Sequence, residues 1–133
     1  MQYQWLLNRA ADARARAYCP YSGFAVGAAL LAASGAVYTG CNVESASFGA
    51  TICAERNALT TAVGAGERAF TALAIVAGDT PTPPCGICRQ LLAEFGDMTV
   101  LYADAALTAV RETTLSALLP DGFALTPPTS AKG

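Results

Sequence analysis

The spacing of apolar and polar residues changes repeatedly along the chain between a helical period and a strand period. Helical segments carry apolar residues three and four positions apart, whereas strand segments are short apolar runs bounded by Gly, Pro, Ser or Asn. The pattern predicts, in chain order, a helix over 4–17, strands over 24–32 and 37–42, a helix over 52–63, a strand over 71–77, a helix over 85–95, a strand over 99–102 and a helical piece over 113–118. This alternation is typical of a layered α/β fold with helices packed over a mixed sheet.

Residues with special backbone chemistry suggest where the helices begin and end. Thr51 is predicted to cap the second helix, because a hydroxyl at that position accepts a hydrogen bond from a free backbone N–H of the first turn. Pro84 is predicted at the first position of the third helix, where its missing N–H loses no hydrogen bond. A chain of 133 residues has the length of one domain, so residues 1–125 are expected to form a single folding unit. Residues 126–133 are expected to be a disordered tail.

Composition narrows the set of partners. Hydrophobic residues make up 53% of the chain and charged residues 14%, against about 25% charged in typical soluble domains. So few charges favour a homo-oligomer with apolar interfaces. The net charge is −2 and the basic residues are scattered, so nucleic acid is not an expected partner. The longest apolar run is too short to cross a membrane and no secretory signal is evident, which predicts a cytoplasmic protein.

The cysteines, and the absence of histidine, limit the chemistry available to the chain. Five cysteines are present and histidine is absent. Ser–His and Cys–His nucleophile arrangements are therefore excluded, and any zinc site must use thiolates or carboxylates. An odd number of cysteines in a reducing compartment favours metal ligands and buried thiols over a disulfide framework. Cys19 and Cys41 are interpreted as buried thiols.

Two short cysteine motifs are candidates for one metal site. Cys85 and Cys88 are three residues apart on the first turn of a predicted helix, so both sulfurs can reach one ion. On its own this pair is also consistent with a redox couple or with half of a structural zinc site. Cys53 lies at the start of another predicted helix, with Glu55 two residues later. Three cysteines leave the fourth position of tetrahedral zinc open for water, as in catalytic zinc sites.

Electrostatics at the predicted helix starts favours thiolates, and Arg56 lies beside them in the sequence. Peptide dipoles and free N–H groups at helix N-termini stabilise negative charge. Three thiolates on Zn²⁺ leave the site with a net negative charge, which weakens the effect of the metal on water. Arg56 is predicted to offset this charge by donating N–H groups to a ligand sulfur. The alternative is an arginine that is solvated at the surface.

Several motifs together resemble those of the small homotetrameric zinc-dependent cytidine deaminases, over nearly the whole chain. The motifs are Tyr18-Cys-Pro-Tyr-Ser-Gly-Phe24, Gly40-Cys-Asn-Val-Glu44, Cys53-Ala-Glu-Arg56, Pro84-Cys-Gly-Ile-Cys-Arg-Gln90, and Leu118-Leu-Pro120 followed by Phe123. A Cys-x-Glu motif followed by Pro-Cys-x-x-Cys is the signature of zinc deaminases. The resemblance implies a three-layer α/β/α fold, with a central mixed sheet of about five strands and one Zn²⁺ per subunit.

The resemblance also implies a role for each matching residue. It makes Glu55 the general acid and base, with zinc held by Cys53, Cys85 and Cys88. The residues that it places against the nucleoside are Phe24 on the pyrimidine ring, Asn42 and Glu44 on the ribose hydroxyl, Ala54, and Phe123 from a neighbouring subunit. From the sequence pattern alone, Phe24 reads as core and the two polar residues as ordinary loop positions. Ser45 and Phe48 depart from the family, which more often has Asn and Tyr there.

The expected activity is hydrolytic deamination of cytidine and 2'-deoxycytidine to the uridine nucleosides with release of ammonia, in pyrimidine salvage. The partners implied are a small nucleoside substrate and further copies of the same chain, in a tetramer with sites at the subunit interfaces. Two alternatives remain open. One is a deaminase of another aminopyrimidine nucleoside, similar to the blasticidin S deaminases, and the other is a non-catalytic interaction module stabilised by zinc.

Overall fold

A five-stranded mixed β-sheet organises the computed structural model, which describes residues 2–125. The elements in chain order are α1 (Gln4–Arg14), β1 (Val26–Ala32), β2 (Val37–Cys41), a 3₁₀ turn (Phe48–Ala50), α2 (Ala54–Gly64), β3 (Phe70–Ala77), α3 (Gly86–Ala93), β4 (Thr99–Ala103), β5 (Val110–Thr114) and α4 (Leu115–Leu118). The strand order is β2-β1-β3-β4-β5, and β3 and β4 are parallel while the other neighbours are antiparallel. The predicted tail, 126–133, lies outside the described residues.

Helices cover both faces of this sheet. Successive strand side chains point to opposite faces, so β3 sends Leu73 to one side and Ala74 to the other. Leu73 packs in a core with residues of α2, α3 and α4. Ala74 packs in a second core against Leu6 and Leu7 of α1. The expected three-layer α/β/α fold is therefore confirmed.

Two glycines allow helices to approach the hairpin strands closely. A Cβ at Gly40 would lie 2.5 Å from the carbonyl oxygen of Ala54 and 2.6 Å from the backbone nitrogen of Ala58. A Cβ at Gly27 would collide in the same way with the backbone of α1 at Ala10. These separations are shorter than any nonbonded contact, so only glycine fits at either position. Gly40 thus lets the start of α2 lie directly on β2.

Both predicted helix starts are wrong by one or two residues. The cap of α2 is Cys53 rather than Thr51, because Ile52 pairs with Val43 and keeps the chain extended up to the cysteine. The Thr51 hydroxyl instead accepts a hydrogen bond from Ser45 N at 3.1 Å. Cys85, with an extended backbone, caps α3, so Pro84 precedes the helix instead of starting it. A cysteine is consequently the N-cap of both helices.

The fifth strand was not predicted from the hydrophobic pattern. Residues 113–118 were expected to be helical, whereas β5 ends at Thr114 and α4 begins at Leu115. β5 lies at the edge of the sheet, and Arg111 and Glu112 are exposed there. An edge strand that is exposed to solvent carries little apolar alternation, so pairing with β4 determines its conformation.

Candidate metal centre and adjoining cavity

Three cysteine sulfurs converge where α2 and α3 begin. Cys53 and Cys85 are the caps of the two helices, and Cys88 lies in the first turn of α3. The Sγ atoms of Cys53 and Cys85 are 3.8 Å apart, those of Cys85 and Cys88 are 3.4 Å apart, and all three lie within 4.8 Å of one another. Zn–S bonds of about 2.3 Å in a tetrahedron separate two sulfurs by about 3.8 Å. The spacing of the three sulfurs therefore fits one zinc ion.

The charge state of the thiols also fits a metal site. Hydrogen bonds with Cys88 and Cys85, together with the positive charge of Arg56, lower the pKa of Cys53 to about 5 despite its partial burial. The same hydrogen bond with Cys53, and then burial, raise the pKa of the Cys88 thiol. Cys53 is thus favoured as a thiolate, which is stabilised by thiol protons of its neighbours. A soft cation that replaces those protons binds all three as thiolates.

Arg56 contacts this cluster from the first turn of α2. Its Nη2 lies 3.7 Å from Cys53 Sγ and donates a 3.0 Å hydrogen bond to the carbonyl oxygen of Thr51. Its Nε is buried and has no hydrogen-bond partner among residues 2–125. The guanidinium therefore lies against a sulfur and a backbone oxygen, at the position from which the predicted donation to a ligand would occur.

Glu55 is buried beside the sulfurs but is not part of their cluster. It lies in the first turn of α2 and is 5% exposed. Burial, with a contribution from the negative charge of Cys53, raises the pKa of its carboxyl to about 7. A carboxyl of this kind takes up and releases protons near neutral pH. The cluster of possible metal ligands contains the three cysteines and does not include this carboxylate.

A cavity of about 320 Å³ opens next to the metal centre. The predicted site residues that line it are Phe24, Asn42, Glu44, Cys53, Ala54, Glu55 and Cys85. Its size lies at the lower end of the range for small-molecule sites, roughly 300–1,000 Å³. Three further lining residues, Ser22, Thr51 and Thr82, were missed by sequence reasoning. They are loop hydroxyls for which no site role was predicted from the sequence, although Ser22 lies within the motif that runs from Tyr18 to Phe24, and only the folded chain brings them together.

The part of the cavity wall that Asn42 and Glu44 form is polar. Asn42 donates from Nδ2 to the Phe24 carbonyl oxygen at 2.8 Å, and its Oδ1 accepts from Val26 N at 2.9 Å. One N–H of the amide therefore remains available. Glu44 accepts hydrogen bonds from Tyr21 N at 3.0 Å, from Ser22 N at 3.1 Å and from Ser22 Oγ. The hydrogen bonds from Ser22, with that from Tyr21 N, lower the pKa of the Glu44 carboxyl, which favours its ionised form.

The two predicted aromatic contacts lie in different places. Phe24 precedes β1 and lines the cavity with 42% of its surface exposed, so the reading of it as a core residue is wrong. Phe123 is 69% exposed and is not among the residues lining the cavity of its own chain. Gln90 of α3 holds its backbone, through Nε2 to the Phe123 oxygen at 2.7 Å. This placement leaves the Phe123 side chain at the surface.

Known proteins match this chain over most of its length. The family model for the cytidine and deoxycytidylate deaminase zinc-binding region matches residues 1–104, which include all three clustered cysteines. Cytidine deaminases of Sporosarcina psychrophila and Halalkalibacterium halodurans are each 48% identical over 126 residues, which are 92% of this chain and 92% and 95% of theirs.

Solved structures give the same relationship. The crystal structure of cytidine deaminase from Burkholderia pseudomallei has a TM-score of 0.87 at 45% identity, and the match covers 92% of this chain and 100% of that one. The crystal structure of cytidine deaminase from Mycobacterium tuberculosis has a TM-score of 0.81 at 41% identity. The match covers 94% of this chain and 99% of that one. Among residues 2–125, none of the helices has the length and apolar character needed to cross a bilayer. With its three-sulfur centre, its fold and these relatives, the chain belongs to the cytidine and deoxycytidylate deaminase zinc-binding family.

Proposed function

We propose that this protein deaminates cytidine and 2'-deoxycytidine hydrolytically, giving uridine and 2'-deoxyuridine and releasing ammonia, as a step of pyrimidine salvage. One observation carries the proposal. A single cavity is lined by two of the three clustered sulfurs, by a buried carboxyl, and by a hydrogen-bonding amide and carboxylate. The curated relatives named cytidine deaminase, 48% identical to this chain, support this substrate over other aminopyrimidines.

At the metal end, Cys53, Cys85 and Cys88 would hold one zinc ion per subunit. When bound, zinc supplies Lewis acidity that lowers the pKa of water toward about 7. Glu55 accepts a proton from the attacking water and donates it to ring nitrogen N3 as the oxygen adds to C4. Glu55 then transfers the second water proton to the amino group, which leaves as ammonia while the C4 carbonyl forms. Water and cytidine are consumed, and uridine and ammonia result.

At the sugar end, the chain binds and orients the nucleoside. Phe24 packs on the pyrimidine ring, and Ala54, at the start of α2, contacts the base. The remaining N–H of Asn42 donates to a ribose hydroxyl, and the ionised Glu44 accepts from it. Both polar side chains are already held by hydrogen bonds to the segment before β1, which reduces the ordering cost of binding.

The active form is proposed to be a homotetramer in which Phe123 reaches the cavity of a neighbouring subunit. The low charge content and exposed aromatic side chains support association, since Phe48 and Phe123 are 77% and 69% exposed. We place the protein in the cytoplasm, because the clustered thiols must stay reduced to bind metal. Residues 1–125 are proposed to act as one domain.

Turnover of a substrate panel tests the proposal. Zinc-loaded protein is incubated with cytidine, 2'-deoxycytidine, cytosine, CMP and blasticidin S, while loss of ultraviolet absorbance and release of ammonia are followed. The proposal predicts turnover of the two nucleosides alone. Turnover of another compound in place of these nucleosides would show that the protein is a deaminase with a different substrate. No turnover by a folded, zinc-replete protein would instead favour a non-catalytic module.

A further inference from the structure

Ser22 links two cavity residues that approach from different parts of the chain. Its backbone N–H and hydroxyl donate to the two different oxygens of the Glu44 carboxylate, with the N–H bond at 3.1 Å. Its Oγ also accepts a hydrogen bond from Phe24 N at 3.0 Å. Because Ser22 itself lines the cavity, this network forms part of the wall at the polar end.

We propose that Ser22 is a positioning residue, which fixes the Glu44 carboxylate for recognition of a sugar hydroxyl. The inference rests on the proposed nucleoside function. Glutamate has several rotatable bonds, and at an exposed position it samples many rotamers unless neighbouring donors hold it. The N–H groups of Tyr21 and Ser22 both contact Oε1, so the Ser22 hydroxyl is the donor that fixes the second oxygen, Oε2. Removing it leaves the carboxylate free to rotate about the Oε1 contacts.

The hydroxyl also connects recognition of the sugar with placement of the ring. Its acceptor role toward Phe24 N holds the backbone of the residue that is proposed to pack on the pyrimidine. The Glu44 carboxylate and the backbone of Phe24 are thereby both hydrogen-bonded to one atom, Ser22 Oγ. Ser22 makes no contact with the sulfur cluster, so its effect is expected on nucleoside binding and not on metal binding.

The test compares Ser22→Ala with Ser22→Thr, which retains a hydroxyl. The Ala variant is expected to raise the KM for cytidine about three- to tenfold, the size of effect of one typical hydrogen bond. Its kcat is expected to stay within about twofold of the unmodified protein, and the Thr variant is expected to restore the KM. Zinc content, measured by metal analysis, is expected to be unchanged in both variants.

Product analogues separate the sugar hydroxyls from the base. The inhibition constants of uridine and of 2',3'-dideoxyuridine are measured for the same proteins. If Ser22 acts through Glu44 on a sugar hydroxyl, Ser22→Ala weakens uridine binding more than it weakens binding of the dideoxy compound, in which any loss comes from the hydrogen bond to Phe24 N. When Glu44 is already replaced in a Glu44→Gln variant, adding Ser22→Ala is expected to change the inhibition constant of uridine less than Ser22→Ala does alone.

The chain supplies a matched control in Ser34→Ala. The Ser34 hydroxyl donates to Glu67 Oε2 at 2.8 Å and accepts from the N–H two residues later, Ala36 N, at 3.3 Å. It has the same bonding pattern as Ser22 but lies at the β1–β2 turn, away from the cavity. This variant is expected to leave KM and both inhibition constants unchanged.

Four results would overturn the inference. An unchanged KM in Ser22→Ala, or equal weakening of uridine and its dideoxy analogue, would mean that Ser22 does not act on the sugar hydroxyl. Loss of zinc from Ser22→Ala would assign it a structural role instead. Failure of the unmodified protein to deaminate cytidine would overturn the proposed function, and this inference with it. The two failures are distinguishable, because the other results are seen in Ser22→Ala while the unmodified protein remains active.

Discussion

The two ends of the cavity are built in different ways. The metal end consists of two helix starts, where Cys88 is fully buried and Glu55 is 5% exposed. The sugar end consists of loops, where Phe24 is 42% exposed, Asn42 is 8% exposed and Glu44 is held by bonds that span 22 and 23 residues of sequence. Rigid helix starts suit groups that handle protons and metal, because small displacements there change reactivity strongly. Loops suit recognition, where each contact contributes a modest share of the binding free energy.

This difference makes the two ends separable by experiment. Changes at the metal end are expected to affect metal content and kcat, whereas changes at the sugar end are expected to affect KM. A change at one end that produces the signature of the other would show that the division is wrong.

The largest effect is expected from Cys88→Ala. The substitution removes one of the three clustered sulfurs, so the protein is expected to lose bound zinc and all detectable deaminase activity. Zinc analysis and thermal unfolding with and without a chelator measure the change. Since metal that binds only the folded state stabilises it, a chelator is expected to lower the Tm of the unmodified protein but not of the variant.

Cys41→Ala is the matched control for this substitution. Cys41 ends β2, is partly exposed and is not part of the sulfur cluster. Its loss is expected to leave zinc content and activity intact. Retention of stoichiometric zinc by Cys88→Ala, or its loss from Cys41→Ala, would show that the ligand set is assigned wrongly.

A smaller effect is expected from Arg56→Gln. Loss of the guanidinium next to Cys53 Sγ is expected to weaken zinc affinity roughly 10- to 100-fold, as for other residues that orient or polarise a metal ligand. Competition for zinc with a chromogenic chelator measures the affinity. Arg68→Gln is the control, because within residues 2–125 the side chain of Arg68 donates to the backbone oxygens of Val63 and Glu67, at and just beyond the far end of α2. Equal zinc affinities in the unmodified protein and both variants would show that Arg56 does not contribute to metal binding.

The smallest of these effects is expected from Phe24→Ala. Loss of an aromatic ring stacked on a base costs about 1–3 kcal/mol, so the KM for cytidine is expected to rise about tenfold. Zinc content and kcat are expected to change little. Phe24→Tyr keeps the ring and is expected to retain most of the affinity. A fall in kcat without a change in KM would place Phe24 in the chemistry of the metal end.

The division also explains what could be predicted from the sequence. The metal end is encoded by residues two and three apart, Cys53 with Glu55 and Cys85 with Cys88, so a short motif carries it. Ser22 and Glu44 lie in two separate motifs, and their hydrogen bonds join residues 22 positions apart, so no single short motif shows the pairing. The place of this pair in the cavity wall became evident only from the folded chain.

The same contrast applies to the fold. The apolar runs of β1, β3 and β4 predicted the centre of the sheet, because burial on both faces requires continuous hydrophobic residues. The edge strand β5 and the cap of α2 were mispredicted. In each case, pairing with a distant segment determines the backbone, through β4 for β5 and through Val43 for the residue before Cys53.

Three sulfurs are proposed to hold the metal while the neighbouring carboxyl moves the protons. The Glu55→Gln variant separates these two roles in one preparation, assayed for zinc content and for ammonia released from cytidine. One zinc per chain is expected, as in the unmodified protein, with a fall in kcat of about 10²- to 10⁴-fold. Loss of zinc would show that Glu55 is a ligand, and an unchanged rate would show that another group carries the proton.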